Sequence, residues 1–337
     1  MPNPRVTVLV DSYNYGHYIE EAIDSVLSQD FPAEQMELLV VDDGSTDDTV
    51  ERVRKYGNRI KYLYKPNGGQ ASAFNFGLQK ASGEIIAMLD ADDYWLPGKL
   101  GRVVEQFDKH PDAGMVYHRL QEFPMQGGER KECSFVAISG FVAKNRRDLL
   151  RYILYPTSCL AFRRRCIQPL LPIPEGLTIQ ADSYLSGLII FLAPIVAVEE
   201  SLTVYRVHGA NLFHAPGAQF SAERIQRRLK TFVTLTEGMK SWLTKNGYDL
   251  RQRDVRAFFT QWLLTREADE FTILRPGRLR LFWHLWRYNY YFAPRMSWRH
   301  LLVNYATAFG SLVVGYKHLY LIEHWIAAIK RLLNARR

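Results

Sequence analysis

Through the first 120 residues, apolar positions come in blocks rather than singly. Val6–Val10, Glu37-Leu-Leu-Val-Val41 and Ile85–Leu89 are runs of strand length, rich in branched aliphatics. Runs of that kind predict strands buried on both faces, as in a parallel sheet. Ile60–Tyr64 and Ala113–His118 read as two more strands. Between the runs the period changes to that of a helix. Ile19, Ala22, Ile23, Val26 and Leu27 share one face, Val50 and Val53 point inward from residues 46–56, and Ala71, Phe74 and Leu78 line residues 70–81. Leu96-Pro-Gly-Lys99 opens a helix to about Lys109. Residues 119–145 are less regular, with Gly127-Gly128 as a loop tip. A helix over 146–154, a strand over 157–162, a helix over 180–192 and short strands over 195–198 and 202–205 follow. Alternation of strand and helix predicts a doubly wound, mostly parallel, Rossmann-like α/β sheet.

After about residue 218 the pattern is helical only. Helices are expected over 221–245 and 252–270, then come a densely aromatic stretch, Leu279–Phe292, and an apolar one, Leu301–Tyr316. Lys317, His318 and Glu323 interrupt its continuation, which leaves it short of the roughly 20 apolar residues a membrane span needs. Two domains are therefore expected, residues 1–217 and 218–337.

Three of the predicted strands end in acid: Val10 at Asp11, Val41 at Asp42-Asp43, and Leu89 at Asp90-Ala91-Asp92-Asp93. In a parallel sheet these ends share one edge, where ligands of open α/β sheets bind. A single strand ending in a polar turn would need no further explanation, but three in succession imply a crevice lined by carboxylates. Asp90 and Asp92 point the same way if the chain stays extended, and can hold one Mg²⁺ or Mn²⁺ against a diphosphate. A carboxylate at the end of the first or second strand can accept the N3–H of uracil. Gly68 and Gly69 let the backbone approach a ligand, and Gln70 could reach ribose or phosphate. Asp182 reads either as an acid favoured at a helix N-terminus or as a general base for an acceptor hydroxyl. His208 reads either as a loop residue or, next to Arg206, as a group that faces the diphosphate and completes a metal shell.

Composition changes this picture mainly at the tail. Fifteen Lys+Arg against five Asp+Glu give net +10 from Arg251 onward, against −2 for residues 1–250. Such asymmetry suggests an anionic surface as partner. Nucleic acid is disfavoured, because apolar and aromatic residues interleave the charges without a recognised module. The aromatic faces either bury against each other or a second subunit, or rest on a bilayer. Three scattered cysteines (133, 159 and 166) and an N-terminus that runs straight into a strand fit a reducing, cytoplasmic location, at most at the membrane's cytoplasmic face.

Val8-Leu-Val-Asp-Ser-Tyr-Asn14, Leu39-Val-Val-Asp-Asp-Gly-Ser-Thr-Asp47, Asn67–Gly77, Asp90-Ala-Asp92 and Tyr205-Arg-Val-His-Gly209 occur in an order that resembles glycosyltransferase family 2, inverting metal-dependent enzymes of the GT-A fold. The resemblance covers about residues 5–215. It implies nucleotide-sugar contacts from Asp11, Tyr13, Asp42, Asp43, Gly69, Gln70, Asp90, Ala91 and Arg206. It also implies a divalent cation at Asp90, Asp92 and His208, and a catalytic base at Asp182. Ala181 stands where the family often has Glu. The implied reaction moves a sugar, UDP-linked by expectation, to a hydroxyl of a carbohydrate or glycolipid acceptor in polysaccharide or glycoconjugate synthesis. A non-catalytic nucleotide-sugar binding protein and a phosphohydrolase with Asp90 as nucleophile are the alternatives.

Overall fold

A computed structural model describes residues 4–125, 127–208, 211 and 222–315; Gly209, and Tyr316 at the end of the expected apolar stretch with its continuation through Lys317, His318 and Glu323, lie outside them. In chain order the elements are β1 (Val6–Ser12), α1 (Gly16–Leu27), β2 (Met36–Asp42), α2 (Thr49–Arg54), β3 (Lys61–Tyr64), α3 (Gln70–Lys80) and β4 (Ile85–Asp90). Next come β5 (Tyr94–Trp95), α4 (Lys99–Lys109), β6 (Met115–Pro124), β7 (Lys131–Glu132), α5 (Arg146–Arg151), β8 (Leu160–Arg163) and α6 (Arg164–Ile167). The chain continues with α7 (Ala181–Leu192), β9 (Ile195–Val207), α8 (Ala222–Lys245), α9 (Arg253–Leu274), α10 (Arg278–Phe292) and α11 (Trp298–Val314).

The fold divides into two compact units. The first comprises residues 1–145, 152–219 and 237–242, and the second 146–151, 220–236 and 243–337. The first unit is built on one sheet in the order β3-β2-β1-β4-β8-β6-β9-β5, with β7 paired to β6. Strands β3, β2, β1 and β4 run parallel, as their apolar runs predict. Val6, Val8, Val10, Leu38, Val40, Ile85, Ala87 and Leu89 fill the core with Ile19, Ile23 and Val26 of α1. The far half of the sheet is mixed: β8 is antiparallel to both β4 and β6, β5 is antiparallel to β9, and only the β6–β9 pair is parallel.

Local departures from the sequence expectation have physical causes. The two short strands expected over 195–205 are one strand, β9. The polar Glu199-Glu200-Ser201 that suggested a break sits at an irregularity, where the register against β6 shifts around Arg119. A bulge of this kind lets a strand carry a polar interruption without ending. The start of the strand expected at 157 is a 3-10 turn, Thr157–Cys159, and the helix expected over 146–154 stops at Arg151.

Gly83 marks how tightly the parallel half is packed. A β-carbon there would lie 2.3 Å from the backbone nitrogen of Thr7 and 2.7 Å from the carbonyl carbon of Val6. Backbone cannot yield as a side-chain tip can. Gly83→Ala should therefore destabilise the protein by about 1–3 kcal/mol, seen as a lower urea midpoint at unchanged slope. An unchanged midpoint would show that the Gly83 segment has room.

The second unit is helical. Gln261 Nε2 donates to the carbonyls of Leu150 (2.9 Å) and Tyr291 (2.8 Å), and Arg295 Nε donates to the Leu150 carbonyl at 3.0 Å. These bonds tie α5, α9 and the end of α10 together. Among the described residues, no helix is long and apolar enough to cross a membrane.

Candidate active site

The carboxyl ends of β1 and β4 lie side by side, with Asp11 in register with Asp90. The Ala91 N–H donates to the Asp11 carbonyl at 3.0 Å, and the Asp93 N–H donates to the Asp90 carbonyl at 3.0 Å. This tight turn brings one carboxylate oxygen each of Asp90, Asp92 and Asp93 within 4.8 Å of one another. Burial, with the neighbouring charges added to it, raises the carboxyls of Asp90 and Asp93 well above their usual range. Asp11 is pushed up to about 7, first by burial and then by the charges of Asp92 and Asp182. Like charges this close cannot all ionise without compensation.

The donor set fits a hard divalent cation. It offers only oxygens in a buried cluster, and Asp11 Oδ1 is buried with no hydrogen-bond partner. The acids are not equivalent. Asp93 accepts from the Ser158 hydroxyl (2.6 Å) and from the Arg206 N–H (3.0 Å), so it braces the turn. Asp90 and Asp92 are the residues of the cluster that could hold a cation. His208 Nε2 lies 3.0 Å from Asp92 Oδ2, and Asn211 Nδ2 lies 3.4 Å from the same oxygen. His208 is thus set beside Asp92, while the ligand atoms that lie within 4.8 Å of one another are those of Asp90, Asp92 and Asp93.

Arg206 takes a different position from the one expected. Its guanidinium is buried between the rings of Tyr18 (5.1 Å) and Tyr94 (4.6 Å). It donates to the Asp92 carbonyl at 2.8 Å and pairs with Glu21. These contacts hold the acidic turn from behind instead of presenting charge to a ligand.

Asp42 and Asp43 are also engaged by the protein. Asp42 accepts from the Ser45 N–H (2.7 Å) and the Tyr62 hydroxyl. Asp43 accepts from Lys65 Nζ (2.6 Å) and from the N–H groups of Gly68 (3.0 Å) and Gly69 (2.7 Å). Asp43 therefore shapes the 65–69 turn, with both carboxylate oxygens engaged by it. Tyr13 is exposed, Ala91 buried.

Asp182 enters from α7, ninety residues after the acidic turn, and its charge reaches Asp11. Burial raises its carboxyl to about 6, against the lowering effect of hydrogen bonds from Ser183 and Thr157. Its position is fixed by the glycine turn. Gln70 N–H donates to the Thr178 carbonyl (3.2 Å), Ala71 N–H donates to the Leu177 carbonyl (3.0 Å), and Ala181 N–H donates to Gln70 Oε1 (3.0 Å). Gly69 has φ +84°, and a β-carbon there would lie 2.6 Å from Thr178 Cα, so only glycine fits. The Gln70 side chain is thus spent, at its oxygen, on the start of the helix that carries Asp182.

Several residues here carried no sequence signal of their own. The half-buried phenol of Tyr15 lies within electrostatic reach of Asp92, Ser158 bonds Asp93, and Tyr18 stacks on His208 at 5.0 Å. Their partners are distant in sequence, so no local spacing could expose them.

Comparison with known proteins agrees with this geometry. The model of glycosyl transferase family 2 matches residues 7–171. An uncharacterised glycosyltransferase of Nostoc sp. (strain PCC 7120) is 32% identical over 295 residues, which covers 83% of this chain and 89% of that protein. The crystal structure of S. aureus TarS residues 1–349 in complex with UDP-GlcNAc is similar over 91% of both chains, with TM-score 0.56 and 21% identity. A mannosyltransferase of Pyrobaculum calidifontis in complex with GDP-Man and Mn²⁺ is similar over 93% of this chain and 88% of that one, with TM-score 0.50 and 20% identity. The structural likenesses carry the fold, GT-A; the match along nearly the whole Nostoc relative, together with the family model, shows that the chain belongs to glycosyl transferase family 2.

Proposed function

We propose that the protein is an inverting transferase that moves a sugar from a nucleotide-sugar donor, UDP-linked, to an acceptor hydroxyl on a carbohydrate or glycolipid. The observation that carries this reading is the buried acid cluster at the ends of β1 and β4, with a separate buried carboxyl, Asp182, within electrostatic reach of it. Asp182 takes the proton of the acceptor hydroxyl, whose oxygen bonds to the anomeric carbon from the face opposite the nucleotide. The bond from that carbon to the diphosphate oxygen breaks in the same displacement, and its electron pair leaves with the nucleoside diphosphate. A divalent cation held by Asp90 and Asp92, with His208 beside Asp92, supplies positive charge to the diphosphate when bound. Asp11, Asp42, Asp43 and the 65–70 turn bind the nucleoside end, while Arg206, Asp93 and Ser158 keep the acidic turn in shape.

In this reading residues 1–217 form the catalytic domain and the helical remainder serves contacts outside it. Complexes of TarS with UDP-GlcNAc and of the mannosyltransferase with GDP-Man and Mn²⁺ support both donor class and cation. Polysaccharide or glycoconjugate synthesis at the cytoplasmic face of a membrane is the setting that fits such an acceptor.

A thermal-shift panel of UDP-, GDP- and dTDP-sugars with Mn²⁺ or Mg²⁺ tests the reading. The preferred donor, at a concentration well above its Kd, should raise Tm by roughly 5 °C or more. A panel in which no nucleotide-sugar moves Tm, with either cation, would remove the proposal.

A further inference from the structure

The α10–α11 pair carries an exposed apolar surface to which the proposed reaction assigns no role. Trp283 and Tyr290 on α10, and Trp298, Leu302, Phe309 and Val313 on α11, are each more than half exposed. Their spacings, seven residues on α10 and four, seven and four on α11, set each group on one face of its helix. The two faces adjoin: the Phe309 ring lies 5.5 Å from Phe282 and 5.8 Å from Trp286, and Phe282 lies 5.2 Å from Trp283. Large apolar side chains in such a contiguous row mark an interaction site.

Charge identifies what covers it. Residues 271–315 contain six arginines and neither Asp nor Glu. Arg275, Arg278, Arg280, Arg287 and Arg299 are exposed around the apolar rows. A two-fold contact between copies would set the same patch against itself. It would bring two groups of arginines together, of which Arg287 is already paired with Glu267 at 3.9 Å. A surface of anionic phospholipid headgroups above acyl chains matches both features, since interfacial helices bury Trp, Tyr and Leu at the boundary and leave Arg among the headgroups. We propose that the α10–α11 face is a bilayer-docking surface selective for anionic lipid, which holds the enzyme at a membrane without spanning it.

Sedimentation of the full chain with vesicles tests this. Vesicles of phosphatidylcholine with one-third phosphatidylglycerol should carry the protein down at low salt, and phosphatidylcholine alone should not. Replacing Trp298, Leu302 and Val313 by Ser should lower the bound fraction at least tenfold without changing the melting curve. Arg278→Ser with Arg299→Ser should weaken binding by about fivefold per arginine, and high salt should do the same. Protein that stays in the supernatant with anionic vesicles overturns the proposal. So does equal binding by the Ser variant. A dimer in light scattering that the Ser variant dissociates, with no vesicle binding by either, would assign the face to a second copy instead.

Discussion

Asp182→Asn should lower kcat by about two to four orders of magnitude and leave donor binding nearly unchanged, because it removes the proposed proton acceptor and keeps the shape. The pH profile provides the sharper check. A base raised to about 6 must be ionised to work, so the wild-type rate should climb as pH rises through about 6 and then level. The residual activity of the variant should lack that inflection. Stability should move the other way. The folded carboxyl titrates above its unfolded value of 3.8, so the folded state holds the proton more tightly. Stability therefore falls as pH rises from about 4 to beyond 6, by up to about 3 kcal/mol. The neutral variant escapes that loss, and at about pH 8 its Tm should equal or exceed the wild type's. An unaltered rate profile would remove Asp182 from the chemistry, and a large fall in Tm would assign it a structural role.

Asp92→Asn is the second large effect. It removes a proposed cation ligand and the group on which His208 and Asn211 converge. Loss of several kcal/mol of charge stabilisation corresponds to roughly two to three orders of magnitude in kcat/KM. The donor's thermal shift should also stop responding to Mn²⁺. In the metal-free protein the same change should not destabilise, because the Asp92 charge opposes ionisation of Asp11, Asp90 and Asp93. The raised carboxyls make a further sign testable. Protons must leave before a cation binds, so Mn²⁺ should stabilise the wild type more at about pH 8 than at about pH 5.5. A Tm rise with Mn²⁺ that is independent of pH, or retained in Asp92→Asn, would place the cation elsewhere.

The parallel half of the fold was legible because its strands are buried on both faces. Val6–Val10 and Ile85–Leu89 could hardly be anything else, and parallel neighbours that end in acid must share an edge. That is why Asp11 and Asp90 were found together. What could not be read was direction and partner. Tyr205-Arg-Val-His208 declares a cation and an imidazole, but whether Arg206 turns toward a ligand or inward depends on Glu21, Tyr18 and Tyr94, far away in sequence. Asp43 and Gln70 were read as ligand contacts from their neighbourhood. Their hydrogen bonds to Lys65, Gly69 and Ala181 show that part of the work of such residues is to hold their own loops. The mixed half of the sheet escaped because an antiparallel strand of four residues, β8, leaves no pattern distinguishable from a parallel one.

The three hydrogen bonds between residues 70–71 and 177–181, with Gly69 wedged against Thr178, have a practical consequence. These segments behave as a single mechanical part, although more than a hundred residues separate them along the chain. Exchanging the glycine turn with that of a relative, to alter sugar preference, would drag the start of α7 along with it. A workable chimera has to transplant both segments as one cassette.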